Sequence, residues 1–264
     1  MTQVIELISI VLTLLCLAWG AYEDIKNRLA PDKIWLIQII GGIILIFWWN
    51  TEYPNNFIAK VLIVTNILFS ILFAMVSFYS GAFGGGDAKA IIALSFSAPF
   101  NYLFLNSSVN RTEILPPVLS ILLNFLILFI LLALIFLANN LASNKQFGSL
   151  FNETNGTFFS KFSVLLSCRR VDAAKIHQLQ HEDPIEIYTD GAWKLNVSIY
   201  NPPMDDESYE KMEKKLKEDT ISWIEQSSRS YIWVRPQPPG LVFILVAYIM
   251  WIFIDSPLLF FLKL

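Results

Sequence analysis

The chain has 264 residues, of which 55% are hydrophobic and only 16% are charged, and its net charge is −3. A soluble domain ordinarily carries about 25% charged residues, and nothing here resembles the basic surface of a nucleic-acid binder. The apolar residues collect in runs long enough to cross a bilayer.

Six apolar segments follow one another, at residues 2–22, 33–49, 57–79, 87–105, 114–141 and 239–262. The N-terminus has no Lys or Arg before the first run and no small-residue cleavage site after it, so the first helix is expected to stay in place. Trp48 and Trp49 suit an interface at the end of the second segment. Gly41 and Gly42 within it allow close helix packing. Pro116 and Pro117 fall in the first turn of the fifth, where missing amide donors are tolerated. Asn66 and Asn124 lie inside apolar runs and are expected to bond to neighbouring helices.

Between the fifth and sixth segments lies a polar insertion, residues 142–238. Strand-like stretches occupy residues 158–166, 185–188, 193–200 and 231–235, and Thr189-Asp190-Gly191 reads as a hairpin turn. Residues 204–226, rich in Glu and Lys, read as a helix. The expected fold is an α-helical polytopic membrane protein of about six transmembrane helices, with a small α+β cytoplasmic insertion before the last helix. Its expected parts are a membrane domain at 1–141, a soluble insertion at 142–238 and a last transmembrane helix at 239–264. Cys16 lies in an apolar run and Cys168 in the insertion; with no CxxC, neither a disulfide nor a zinc site is expected.

Orientation follows from the basic residues. The loop after the first helix holds Lys26, Arg28 and Lys33, the loop at 50–56 holds none, and the loop at 106–113 holds only Arg111. The positive-inside rule puts the first of these in the cytoplasm and the other two outside. Both termini are then outside and the insertion is cytoplasmic.

Helix parity gives this topology a chemical meaning. Asp24 ends the first apolar run and Asp87, after Gly84-Gly85-Gly86, opens the fourth, so both belong to the cytoplasmic boundary. Taken singly, Asp24 reads as a solvated loop acid and Asp87 as an N-cap. Taken together they form a carboxylate pair, in which one acid keeps its proton while the other deprotonates water. Such a pair titrates as a unit, so base and acid are not assigned to individual residues. The glycines would let another backbone approach the carboxylate.

Gly84-Gly85-Gly86-Asp87 resembles the GxGD motif of membrane aspartyl proteases. Asp24 to Pro31, with Lys26 and Arg28 between, resembles the first aspartate motif of the type IV prepilin peptidases. Six helices with an insertion before the last are similar to the archaeal preflagellin peptidases. The resemblance implies an aspartic endopeptidase with Asp24 and Asp87 as catalytic residues, Gly84, Gly86 and Pro31 as supporting motif, and no metal or cofactor. It implies a partner as well: a preflagellin or prepilin-like precursor with a basic leader and an apolar helix, cleaved at the cytoplasmic face of the lipid bilayer, with no nucleic acid involved. The cysteine tetrad of the bifunctional bacterial enzymes is absent, so methyl transfer is not implied. Ala30 stands where the family often has isoleucine or valine.

Other readings remain. A transporter or channel subunit would use the same two acids to bind a cation or relay protons, although no paired broken helices or inverted repeat are evident. A presenilin-like protease would need more helices. His177 and His181 share an i, i+4 spacing but lack the HExxH glutamate. Lys89 reads as a snorkelling residue, and Glu23 and Asp32 as acids that attract a basic leader.

The topology is testable by single cysteines at Asn27, Asn55, Ala82, Asn110 and Ser208 in a chain lacking Cys16 and Cys168. An impermeant thiol reagent should label only positions 55 and 110 in intact cells. Labelling that separates 27 from 82 would put the two acids on opposite faces and remove the basis for a shared site.

Overall fold

The computed structural model describes residues 2–80, 83–98, 116–147, 151, 154–178, 182–189, 192–195, 218–219, 222–224 and 230–254. Among them are, in chain order, α1 (Thr2–Asn27), α2 (Asp32–Glu52), α3 (Phe57–Tyr79), α4 (Gly85–Ser97), α5 (Pro117–Phe147), β1 (Thr154–Asn155), α6 (Phe158–Ser167) and β2 (Arg169–Asp172). A 3-10 turn, Ala173–Gln178, leads on to β3 (Glu182–Pro184), β4 (Glu186–Thr189), β5 (Ala192–Leu195), β6 (Tyr231–Pro236) and α7 (Gly240–Ile254). The chain is a helical polytopic membrane protein. Four of the described helices, α1, α2, α3 and α5, are long and apolar enough to cross a bilayer. It forms two compact units, Met1–Leu128 with Pro239–Leu264, and Phe129–Pro238.

In the first unit α4 is the central element, packed against α1, α2, α3 and α7. Its sequence explains this. Ala88, Ala90, Ala93, Ser95 and Ser97 are all buried, and small side chains let neighbouring backbones come close. Gly42 of α2 completes the fit, because a Cβ there would lie 2.7 Å from the Phe96 carbonyl. At Gly41 a Cβ would meet Leu12 of α1 at 2.6 Å. Close packing at the two glycines is therefore present, and it joins three helices.

The helix described for α4 ends at Ser97, well short of the expected 105, and residues 99–115 lie outside the described set. Its last carbonyls are taken up by side chains of other helices. Asn66 Nδ2 donates to the Ser95 carbonyl at 3.1 Å, and the Ser9 hydroxyl donates to the Ser97 carbonyl. Gln38 Nε2 donates to Ser97 Oγ at 2.8 Å. In lipid, water cannot satisfy these groups, so side chains must. Asn66 also accepts from the Val118 amide at 3.1 Å, capping α5 just past Pro117. Asn124 Nδ2 reaches the Ala247 carbonyl at 3.3 Å. Both asparagines thus bond between helices, as expected.

Two boundaries shift. α1 runs on to Asn27, so Asp24 sits in the last turn of a helix and not in a loop. The helix stops where Arg28 adopts a left-handed φ of 56°, three residues before Pro31, which cannot continue it. The described part of α7 spans Gly240–Ile254, and the remainder of the expected sixth segment lies outside the described residues.

The second unit carries two small sheets, ordered β1-β5-β4 and β2-β6-β3. β4 and β5 pair antiparallel with Thr189 opposite Ala192, which fits the expected hairpin. The fully buried Glu186 serves both sheets. Its Oε1 accepts from Thr154 Oγ1 at 2.5 Å, and its Oε2 accepts from the Trp233 amide at 2.9 Å. Residues 158–166 are helical, not extended. The Thr157 side chain caps this helix by accepting from the Ser160 amide at 3.2 Å. Phe158, Phe159, Phe162, Leu165 and Leu166 recur at helical spacing, a signal that the aromatic, strand-favouring composition of so short a run obscures. Most of the expected helix at 204–226 lies outside the described residues.

The capping role of Asn66 can be measured. Asn66→Leu keeps the volume but strips the Ser95 carbonyl and the Val118 amide of their partners. A loss of about 1–2 kcal/mol is expected, read from unfolding midpoints in detergent micelles. Leu68→Ala, on the exposed face of α3, should cost less. Equal midpoints for Asn66→Leu and wild type would show that these groups need no partner.

Candidate active site

The two acids come together where three helix ends meet. Asp24 lies in the last turn of α1 and Asp87 in the first turn of α4. The third end is the start of α7. The Leu241 amide donates to Asp24 Oδ2 at 3.1 Å. At the preceding residue, a Cβ built on Gly240 would lie 2.5 and 2.6 Å from the two Asp87 carboxylate oxygens. Consecutive Cα atoms are about 3.8 Å apart, so one dipeptide of α7 touches both carboxylates. Asp24 and Asp87 are close enough to act on each other electrostatically.

Local sequence explains each position. Gly84, with φ −67° and ψ 162°, is the N-cap of α4 and makes no side-chain cap. Asp87 is therefore not the N-cap but the third residue of the helix. Its carboxylate turns back to the Gly84 backbone amide, which is the acidic half of a capping box. Pro31 is the N-cap of α2 in extended conformation, and its carbonyl accepts from the Ile34 amide at 3.1 Å. The short link from Asp24 to α2 is thereby fixed at both ends.

The glycine run differs from expectation. No backbone crowds it: a Cβ at Gly86 would meet nothing within 4 Å, and one at Gly84 would meet only Asp87 Oδ2, at 3.7 Å. The close backbone approach to Asp87 comes from Gly240 instead. The sequence signal for this is Pro238-Pro239-Gly240, a stiff entry to the last helix, which marks where the helix starts but not what the glycine faces. The helix of α7 begins there because Pro239, just ahead of it, carries no amide to satisfy. Its free N-terminal amides, at the positive end of the helix dipole, suit two acids.

The remaining candidates are engaged elsewhere. Lys89 pairs with Asp32 at 2.7 Å across α4 and α2, on the exposed surface. Glu23 accepts from Asn27 Nδ2 at 2.7 Å within α1. His177 falls in a 3-10 turn, where an i, i+4 helical face does not exist, and His181 lies outside the described residues. No cluster of three or more metal-ligating side chains occurs among the described residues.

A polytopic membrane protein with paired acids at a junction of three helix ends is the class that the fold and site define. Residues 10–138 match the model of the type IV leader peptidase family, which establishes the resemblance to prepilin and preflagellin peptidases over that stretch. The matched stretch includes both aspartates, all of α4 and α1 from Ile10 onward. Over that stretch, just under half of the chain, the protein is similar to the type IV leader peptidase family, and the match supports a membrane peptidase. No curated protein matches the chain.

Gly240→Ala tests the junction. The new methyl cannot coexist with the Asp87 carboxylate as it stands, so the carboxylate must swing away. A displacement of about 1 Å at a reacting group costs on the order of a hundredfold in rate. Leader cleavage should therefore fall by about that factor while insertion and unfolding midpoint stay near wild type. A wild-type rate would mean that α7 does not set the Asp87 position.

Proposed function

We propose that Asp24 and Asp87 are the catalytic pair of an aspartic endopeptidase that removes the basic leader of preflagellin or prepilin-like precursors. The observation that carries this reading is the dipeptide Gly240-Leu241, which meets one acid with each of its residues. Two carboxylates held at one helix end, within electrostatic reach of each other, suit an arrangement that shares a single proton.

The chemistry follows from that shared proton. The ionised member takes a proton from water as the oxygen attacks the scissile carbonyl carbon. The protonated member gives its proton to the carbonyl oxygen, and a tetrahedral diol forms. One proton goes to the leaving nitrogen and one diol hydroxyl returns its proton to the pair as the diol collapses, which breaks the C–N bond and yields a carboxylic acid and an amine. The pair ends with one proton, as it began. The Leu241 amide holds Asp24 in orientation through these steps. Open space beside Gly86 leaves room for a substrate backbone next to Asp87.

Location supplies the substrate class. A precursor with an apolar helix lies in the bilayer beside the enzyme, and its basic leader stays in the cytoplasm. Its scissile bond then falls at the inner boundary, where the short-loop charges put both acids. Holding the bond there gains through proximity more than through tight binding. In this reading the insertion at 142–238 is cytoplasmic and both termini are outside.

The test is cleavage of a tagged prepilin-like precursor in membranes. Asp24→Asn and Asp87→Asn should each abolish leader removal without lowering the amount of inserted protein. Glu23→Gln, whose carboxylate is bound within α1, should cleave at close to the wild-type rate. Substantial cleavage by either aspartate variant would remove the pair from the mechanism and favour an ion- or proton-binding role for the two acids.

A further inference from the structure

In the second unit an open groove of about 580 Å³ runs between α5 and α6. From α5 its wall is Phe129, Leu132, Ala133 and Phe136, and from α6 it is Phe159, Phe162, Ser163 and Leu166. Both sets follow i, i+3, i+4, i+7, so each is one continuous helical stripe. The stripes face a shared space with almost no polar surface apart from the serines and Arg235.

α6 is apolar on two sides, and only one is accounted for. Val164 and Cys168, just past its end, are fully buried against Ile185, Tyr231 and Trp233 of the sheets. The groove side carries Phe159 at 80% and Phe162 at 48% exposure, with Phe158 beside them at 76%. Aromatic side chains left open in this number belong against something apolar.

The α5 wall says what that is. Residues 129–136 lie within the candidate membrane span Pro117–Ser143. A groove with one wall on such a span opens toward hydrocarbon, and α6, the part of the otherwise cytoplasmic insertion that forms the other wall, then meets the bilayer at its boundary. The volume suits a single extended chain and is far too small for a transmembrane helix of about 20 residues. Arg235 lines the groove; its side chain hydrogen-bonds Cys168, and among the described residues it forms no carboxylate ion pair, which leaves its charge to be met from outside the protein. A guanidinium beside an apolar slot complements a phosphate.

We propose that this groove holds one acyl chain of an anionic membrane phospholipid, with the head-group phosphate at Arg235 and α6 lying in the bilayer boundary as part of the site. The groove is continuous with the lipid-facing surface of α5, where Ile130, Leu131, Leu134 and Ile135 are all exposed. The bilayer itself therefore delivers the occupant.

The full chain would be reconstituted in vesicles of phosphatidylcholine and phosphatidylglycerol. A trace of phosphatidylglycerol would bear a photoactivatable diazirine near the end of one acyl chain. After illumination, peptides covering 129–136 and 159–166 should be labelled several-fold more than the exposed face of α3, which reports ordinary boundary lipid. Excess unlabelled phosphatidylglycerol should compete better than phosphatidylcholine. Arg235→Gln should weaken that preference about fivefold, the factor expected for one basic residue at an anionic lipid. Ala133→Trp fills the slot and should abolish the groove label alone; Ser163→Trp does the same from the opposite wall and serves if the first variant fails to insert. The proposal is overturned if groove and α3 label equally, if both tryptophan variants insert and still label, if the two lipids compete equally, or if the groove peptides crosslink to a second copy or a precursor instead.

Discussion

A helix whose last carbonyls lie among other helices in a membrane must find donors there, and α4 finds them in Asn66, Ser9 and the Gln38–Ser97 pair. This constraint fixes α4 along its axis. With the Phe96 backbone pressed against Gly42, the far end of the helix has no freedom to slide. Asp87 is therefore presented at a set depth, by a rigid rod of small residues anchored about 12–15 Å away, at 1.5 Å per residue. Catalytic groups carried on such elements hold their geometry better than groups on loops. The polar residues scattered through the apolar runs of α1, α2 and α3 are thus structural, and their effect on chemistry passes through α4.

The acids are governed by a second constraint at the other end of the same helix. Two carboxylates near one another repel, and in a poorly hydrated place the repulsion is weakly screened. Here α7 begins between them with unsatisfied amides and the positive end of its dipole. Asp87 has the Gly84 amide as well. The site therefore brings its own donors to the pair it assembles.

Much of this was legible in the sequence. Apolar runs gave the membrane class, and helix parity brought Asp24 and Asp87 to the same end of their helices, where the structure holds them together. The asparagines in apolar runs announced interhelical bonds because no cheaper place for an amide exists in lipid. Other parts were hidden for physical reasons. The helical character of 158–167 was masked by its aromatic, apolar composition, which favours a strand reading of so short a run. Asp24 read as a loop residue because a helix that leaves the membrane keeps its backbone bonds while its side chains turn polar. Gly240 was invisible as a site residue because what matters there is an atom that is missing, and whether a glycine faces a carboxylate depends on a contact between residues 87 and 240. Lys89 read as a snorkelling residue, whereas in space it pairs with Asp32 on the exposed surface.

The contact at Gly240 also bears on how the protein can vary over generations. Every codon for glycine is GGN, and any single-base change that alters the amino acid introduces a side chain or a stop. Ala, Val, Ser, Cys, Asp, Glu, Arg and Trp all carry the Cβ for which there is no room beside Asp87. The position has no near neighbour in sequence space through which to drift. Gly42 is enclosed more tightly still, since the atoms it meets belong to a backbone and cannot rotate away. A lineage carrying this chain would therefore change freely along its lipid-facing stripes. These two glycines would stay fixed, one to keep an acid in place and the other to keep the helix that carries it.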